Sequence, residues 1–188
     1  SGKRVFYKIS ERWFTPGLYN MVVYELAKCR GCTRYNVKKT VKGKNSFLLS
    51  TQSGRWTQMD YLGPLPSSRS YRYILGMVDS YDKSLTAIPT KSTGADELCE
   101  VLAKHFGENG IPEYIMIDGT CVSFRGLDKR LLDGLKVGIV RSNHRSQAQG
   151  FIERKWRDLL ITILKLLDGD DYLERWSDVV GRACYVLN

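Results

Sequence analysis

Arg145–Asp158 reads RSQAQGFIERKWRD, a polar, Gly-containing loop that runs into a helix carrying a lone carboxylate, Glu153, in its first turns. A single carboxylate there needs partners. Two aspartates upstream qualify, Asp60 in WTQMDYLGPLP and Asp118 in EYIMIDGT, because each ends or interrupts an apolar, strand-like run. Three acids on separate elements are the donor set that a divalent-cation site for phosphoryl transfer requires. Hard oxygen ligands hold Mg²⁺, and two such ions about 3.5–4 Å apart clamp the attacking and leaving oxygens of a phosphodiester.

The segments around these acids supply the frame. Three β-rich runs lie in 56–90: one flanking Asp60 with Met59, Tyr61 and Leu62, one over Tyr71–Val78, and one over Leu85–Ile88. Gly63, Pro64 and Pro66 break the first gap, and Asp79 and Ser80 the second, so three sequential antiparallel strands are expected, with Asp79 a turn residue or a secondary carboxylate near the site. Thr93–Phe106 carries Leu98, Val101, Leu102 and Phe106 at helical spacing, with Thr93 and Asp96 as a capping box and Gly107 and Gly110 as its end. His105, near that end, reads as a surface or cap histidine. Pro112 opens a short strand, Tyr114–Ile117, that delivers Asp118 at its C-terminal edge, where sites gather in sheets crossed over by helices. Leu127–Leu135 reads as a further helix, Val137–Val140 as a last strand, and SNHRSQAQG, residues 142–150, as a polar loop.

On the helix that follows, Ile152, Leu159, Ile163, Leu166 and Leu167 form an apolar stripe. Glu153, Trp156, Arg157 and Leu160 share another face at i, i+3, i+4 and i+7, which sends Arg157 where Glu153 points. Trp156 stays open between stacking on a base and packing in the core. Tyr172–Asn188 reads as a final helix with Leu173, Trp176, Val180 and Cys184 on one face.

Ahead of the strands, Thr15 and Pro16 offer an N-cap and a first helical position for a mostly apolar helix that ends near Cys29. Cys29 and Cys32 make a Cys-x-x-Cys pair, half a zinc site, and the two histidines, His105 and His144, lie far downstream. On the residues alone, such a pair without its other two ligands is more often incidental than metal-binding. Val41–Arg55 mixes Lys, Gly and Ser as linkers do.

Composition bounds the partners. The chain carries 29 Lys and Arg against 20 Asp and Glu, a formal charge of +9, which favours a polyanion through counterion release but does not by itself specify one. No run of about 18 uninterrupted apolar residues occurs and no charged-then-apolar segment opens the sequence, so no membrane span is expected and the chain reads as intracellular. An odd count of 5 cysteines in a chain of 188 residues argues for reduced thiols.

In this order and at this spacing, WTQMDYLGPLP, YRYILGMVDSYDKSLTAIPTKS, GIPEYIMIDGT and QAQGFIER resemble the catalytic core of retroviral and gypsy-type retrotransposon integrases, and the resemblance covers nearly the whole chain. It implies an α/β fold: a ribonuclease H-like core with a mixed five-stranded sheet flanked by helices, preceded by a small helical segment. The family's acidic triad falls on Asp60, Asp118 and Glu153, as ligands of Mg²⁺ or Mn²⁺. Gln147 and Gln149 match positions that contact DNA, and Arg145 and Arg157 are placed to reach phosphate. The first 32 residues resemble the second half of the family's two-histidine, two-cysteine zinc domain, which makes Cys29 and Cys32 a partial Zn²⁺ site whose histidines would precede Ser1. The implied domains are 1–40 for that half-domain, 41–55 for a linker and 56–188 for the core. The implied activity is metal-dependent DNA 3′-end processing and strand transfer, by a homodimer or larger assembly acting in the nucleus, with a virion or retroelement particle as another location.

The sequence also departs from the family. Gly119 follows Asp118 directly where the family has Asn, Asp118 and Glu153 stand one residue closer than is usual, and Ser146 replaces a common proline. These departures keep an alternative in view, a domesticated integrase relic that binds DNA or protein without catalysis, whereas the intact triad favours the enzyme. A ribonuclease H-type nuclease is the third option, disfavoured by the Cys-x-x-Cys helix and the QGFIER helix start.

Overall fold

Short β-branched and aromatic runs broken by Gly, Pro and Asp cannot propagate helices, and they pair with the nearest run in the sequence. The computed structural model, which describes residues 2–35, 50–118, 133–142, 150–167 and 172–188, has that pairing at its centre. Three helices come first: α1 (Gly2–Ser10), α2 (Leu18–Lys28) and α3 (Arg30–Tyr35). Then come β1 (Trp56–Leu62), β2 (Tyr73–Asp79), β3 (Leu85–Thr90), α4 (Ala95–Asn109), β4 (Tyr114–Asp118), a single turn α5 (Asp133–Leu135) and β5 (Gly138–Ser142). Two long helices close the order, α6 (Gly150–Leu167) and α7 (Tyr172–Leu187).

The sheet order is β3-β2-β1-β4-β5. The first three strands are antiparallel to their neighbours, while β4 runs parallel to β1 and β5 parallel to β4. This is the expected mixed five-stranded sheet, a ribonuclease H-like core with a helical segment ahead of it. β2 is buried on both faces because it has a strand on either side and helices above and below: Ile74, Leu75, Met77 and Val78 are all inaccessible.

Strand parity divides the core in two. One face sends Ile74, Val78, Leu85 and Ala87 against Ile152, Trp156, Leu159 and Ile163 of α6 and Trp176, Val180 and Leu187 of α7. The other sends Met59, Leu75, Met77, Ile115 and Ile117 against Leu98, Leu102 and Phe106 of α4. Fully burying each such side chain stabilises the fold by about 1.5–3 kcal/mol, before the entropy of ordering it is subtracted. Trp176, fully buried, keeps its indole satisfied by donating Nε1–H to the Pro66 carbonyl at 2.7 Å. Asn188 extends the edge strand, accepting the Leu85 N–H at 2.8 Å and donating to the Leu85 carbonyl at 2.9 Å.

The N-terminal helices dock on the far ends of α6 and α7. α3 approaches so closely that a Cβ at Gly31 would sit 3.0 Å from the Lys165 carbonyl oxygen. From α1, Lys8 Nζ donates to the Tyr185 carbonyl at 2.6 Å and lies 4.2 Å from the centre of the Tyr185 ring.

Several local expectations are corrected. α2 starts at Leu18 after Gly17, whose φ of 79° ends any helical run from Thr15 and Pro16; the Thr15 carbonyl instead accepts the Leu18 N–H in a turn. Gly94, in extended backbone, stands at the N-cap where Thr93 was expected. α4 begins at Ala95, and Glu97 takes over the capping role by reaching back to the N–H groups of Lys91 and Ser92 at 2.7 and 2.8 Å, with the Ser92 hydroxyl donating to it as well. Gly107 lies within α4, which runs on to Gly110, whose φ of 89° only glycine adopts without strain. Of the helix expected over 127–135, only α5 lies among the described residues.

Candidate active site

Asp60 sits in the middle of β1, on the pleat face that looks toward α6. Across the antiparallel pair it stands opposite Gly76 of β2. Across the parallel pair, Trp56 faces Tyr114 and Gln58 faces Met116, and the same register carried two residues on brings Asp60 level with Asp118 at the end of β4. The two aspartates therefore belong to one face and one level of adjacent strands, because both strands run the same way with side chains in phase. Both are partly exposed.

The Asp60 carboxylate is held at each oxygen. Oδ1 accepts the N–H of Tyr61 at 2.8 Å, and Oδ2 accepts the indole N–H of Trp156, from α6, at 3.0 Å. Burial pushes the Asp60 carboxyl above the usual aspartate range, and the charges of Asp118 and Glu153 push it further, against the two hydrogen bonds that favour the ionised form. Glu153 thus bears electrostatically on Asp60 from the first turn of α6, where the helix N-terminus favours a negative charge. Its side chain is exposed, and so is that of Arg157 one turn on.

Acids that bear on one another along one edge are the chemistry that a divalent cation relieves, and their hard oxygens suit Mg²⁺ or Mn²⁺. Among the described residues, no three His, Cys, Asp or Glu side chains stand close enough to hold one ion as they are. The arrangement is an acidic edge whose carboxylates feel one another without being closed around a point. Arg145, Gln147 and Gln149 lie outside the described residues, as do His144 and the stretch after Asp118.

The role left open for Trp156 is settled as packing with a polar purpose. It does not share an exposed face with Glu153 and Arg157; it is 6% exposed and joins the buried stripe of Ile152, Leu159 and Ile163. Its six-membered ring enters the slot left by Gly76, where a Cβ would come within 2.1 Å of Cη2. The sequence reading missed this contact to Asp60. The available signal was Gly76 itself, a residue without a side chain amid β-formers, which in a strand marks close approach by another group. Asp79 is the turn residue expected: its carboxylate accepts the N–H groups of Gly54 at 2.7 Å and Tyr81 at 2.6 Å. His105 meets the Asn109 side chain one turn along α4, at the surface end of that helix.

Cys29 caps α2 and Cys32 lies in the first turn of α3, near enough for the Cys32 N–H to reach Cys29 Sγ at 3.4 Å. Burial, and then the neighbouring Cys29, raise the Cys32 thiol above its ordinary range. Two sulfurs on one turn suit zinc as half a ligand set, and no further His, Cys, Asp or Glu completes it among the described residues.

Fold and site define a class: a ribonuclease H-like core with acids on β1, at the end of β4 and at the start of α6. Within it, the chain is similar to retroviral and foamy-viral Pol polyproteins. It is 26% identical to the Pro-Pol polyprotein of Simian foamy virus type 3 over 97% of the chain, and 25% identical to the Gag-Pol polyprotein of Avian reticuloendotheliosis virus over 93%. To the Pro-Pol polyprotein of Feline foamy virus it is 25% identical over 98%. The chain spans 16% of the length of each of these polyproteins. No family model matches it.

Proposed function

We propose that the chain is the integrase-type part of a retroelement polyprotein, a polynucleotidyl transferase that processes DNA 3′ ends and joins them to target DNA. The observation that carries this reading is the common level of Asp60 and Asp118 on adjacent parallel strands, with Glu153 in the first turn of α6, the helix packed on that face. The likeness to Pol polyproteins along most of the chain supports it. Asp60, Asp118 and Glu153 would hold Mg²⁺ or Mn²⁺, which when bound supplies Lewis-acid activation of the attacking oxygen and stabilises the leaving one. Asp60 orients from the sheet, and Arg157, exposed one turn beyond Glu153, offers a cation to a backbone phosphate. The charge of +9 suits DNA as substrate. Arg145, Gln147 and Gln149 would add DNA contacts, Cys29 and Cys32 would serve a Zn²⁺ site with histidines from further N-terminal sequence, and a homodimer or larger assembly in the nucleus would act on both element ends.

The experiment is joining of a labelled duplex oligonucleotide with a recessed 3′-hydroxyl into supercoiled plasmid. Joined product that needs Mg²⁺ or Mn²⁺ and disappears in Asp118→Asn is the expected result. No product with either metal from the full-length protein, on any duplex end, would leave the chain without this activity.

A further inference from the structure

Trp156 of α6 donates its indole N–H to Asp60, an acid of the sheet, from the same helix turn that carries Glu153. We infer that Trp156 is the positioning residue of this site: its indole N–H fixes the Asp60 carboxylate, and Gly76 is the residue that lets it reach. The inference rests on the reading of Asp60 as a cation ligand.

A carboxylate on a strand is free to turn about its terminal bond unless something holds it. Here two donors from two different elements hold it, one on each oxygen: Tyr61 N–H of its own strand on Oδ1 and Trp156 Nε1–H on Oδ2. Each carboxylate oxygen accepts in more than one direction, so both bonds persist with a cation on the remaining lone pairs. Carboxylates that ligate metals are held by such outer partners, and losing one typically weakens metal binding about 10- to 100-fold.

The depth of the ring is what makes the bond. With any side chain at position 76, Cη2 and Cζ2 would meet a Cβ at 2.1 and 2.5 Å, so the indole could not sink far enough to bring Nε1 within 3.0 Å of Oδ2. An indole filling space alone requires only apolar walls. This one places its single polar atom on the carboxylate that faces the acidic edge. α6 therefore sets two of the three acids at once, Glu153 by carrying it and Asp60 by gripping it, and a shift of the helix moves both together.

Trp156→Phe keeps a ring over Gly76 and deletes the donor. In the full chain, Mg²⁺ titration followed through the backbone amides of Tyr61 and Asp118 is expected to show binding about tenfold weaker in W156F than in the unaltered protein. In the unaltered protein, the Trp156 indole N–H is expected to stay slow to exchange with solvent when Mg²⁺ is bound. Unchanged Mg²⁺ affinity in W156F, or an indole proton that Mg²⁺ releases to solvent, overturns the inference while leaving the cation site in place. A protein that shows no saturable Mg²⁺ shift, or one that Asp60→Asn leaves intact, removes the cation reading itself and the inference with it. Should W156F fail to fold, the indole measurement on the unaltered chain decides alone.

Discussion

Replacing Gly76 with alanine would put a methyl carbon 2.1 Å from Cη2, 2.5 Å from Cζ2 and 2.9 Å from Cζ3 of Trp156. Carbon atoms rest about 3.5–4.0 Å apart, so the indole must withdraw by more than an ångström or the central strand must bend. β2 is hydrogen-bonded on both sides, to β1 and to β3, so the ring is the part that yields. Withdrawal breaks the 3.0 Å bond to Asp60, leaving a half-buried carboxylate short of one donor. Overpacking of this kind costs about 1–3 kcal/mol, and the lost hydrogen bond to a charged group adds about 1 kcal/mol after allowance for the exposure of Asp60. At roughly 2–4 °C per kcal/mol for a chain of this size, the melting temperature should fall by about 4–16 °C. Thermal unfolding by circular dichroism in EDTA reads this directly. A Gly76→Ala protein that melts within about 1 °C of the parent would refute the claim that the indole occupies that slot.

Four further outcomes follow from the same contacts. Because burial raises the Asp60 carboxyl in the folded state, the native chain binds the proton more tightly than the unfolded chain, and metal-free stability should fall as pH rises from the ordinary aspartate range through the raised value. Asp60→Asn should flatten that fall and be at least as stable at pH 7, as urea unfolding across pH 4–7 will show. Leu159→Ala, deep between α6 and the sheet, should cost about 2–5 kcal/mol in urea unfolding. Asn188→Ala, which strips two hydrogen bonds from the start of β3, should cost roughly 1–2 kcal/mol by the same method and speed amide exchange at Leu85. Glu97→Ala, which frees the N–H groups of Lys91 and Ser92, should destabilise by about 1 kcal/mol and accelerate exchange of those two amides.

The strands were legible because their signals are local. Turn residues at 63–66 and 79–80 cut the β-rich runs, short turns dictate antiparallel neighbours, and Asp118 at a strand end follows from the run before it. The parity that sets Asp60 beside Asp118 was implicit in the same runs once β4 lies parallel to β1. Helix starts were less legible, since the N-cap depends on where the backbone turns: Gly94 stands there instead of Thr93, and Gly17 instead of Thr15. α1 went unread because none of its residues is buried and its hold on the chain includes Lys8 reaching Tyr185, at the other end of the sequence. Trp156 was ambiguous for a related reason. Whether an indole three residues after Glu153 faces DNA or the core depends on the space opposite it, and that space is made by Gly76, a residue 80 positions away.

The account turns on Asp60, Asp118 and Glu153 sharing a cation. Mn²⁺ broadens carbon resonances only within its own short range, so side-chain carboxyl signals of the three residues, observed by ¹³C NMR during a Mn²⁺ titration, test this without any DNA. All three signals should vanish together at substoichiometric Mn²⁺, ahead of Asp79 and Glu97. A Glu153 or Asp118 signal that stays sharp while Asp60 disappears would contradict it.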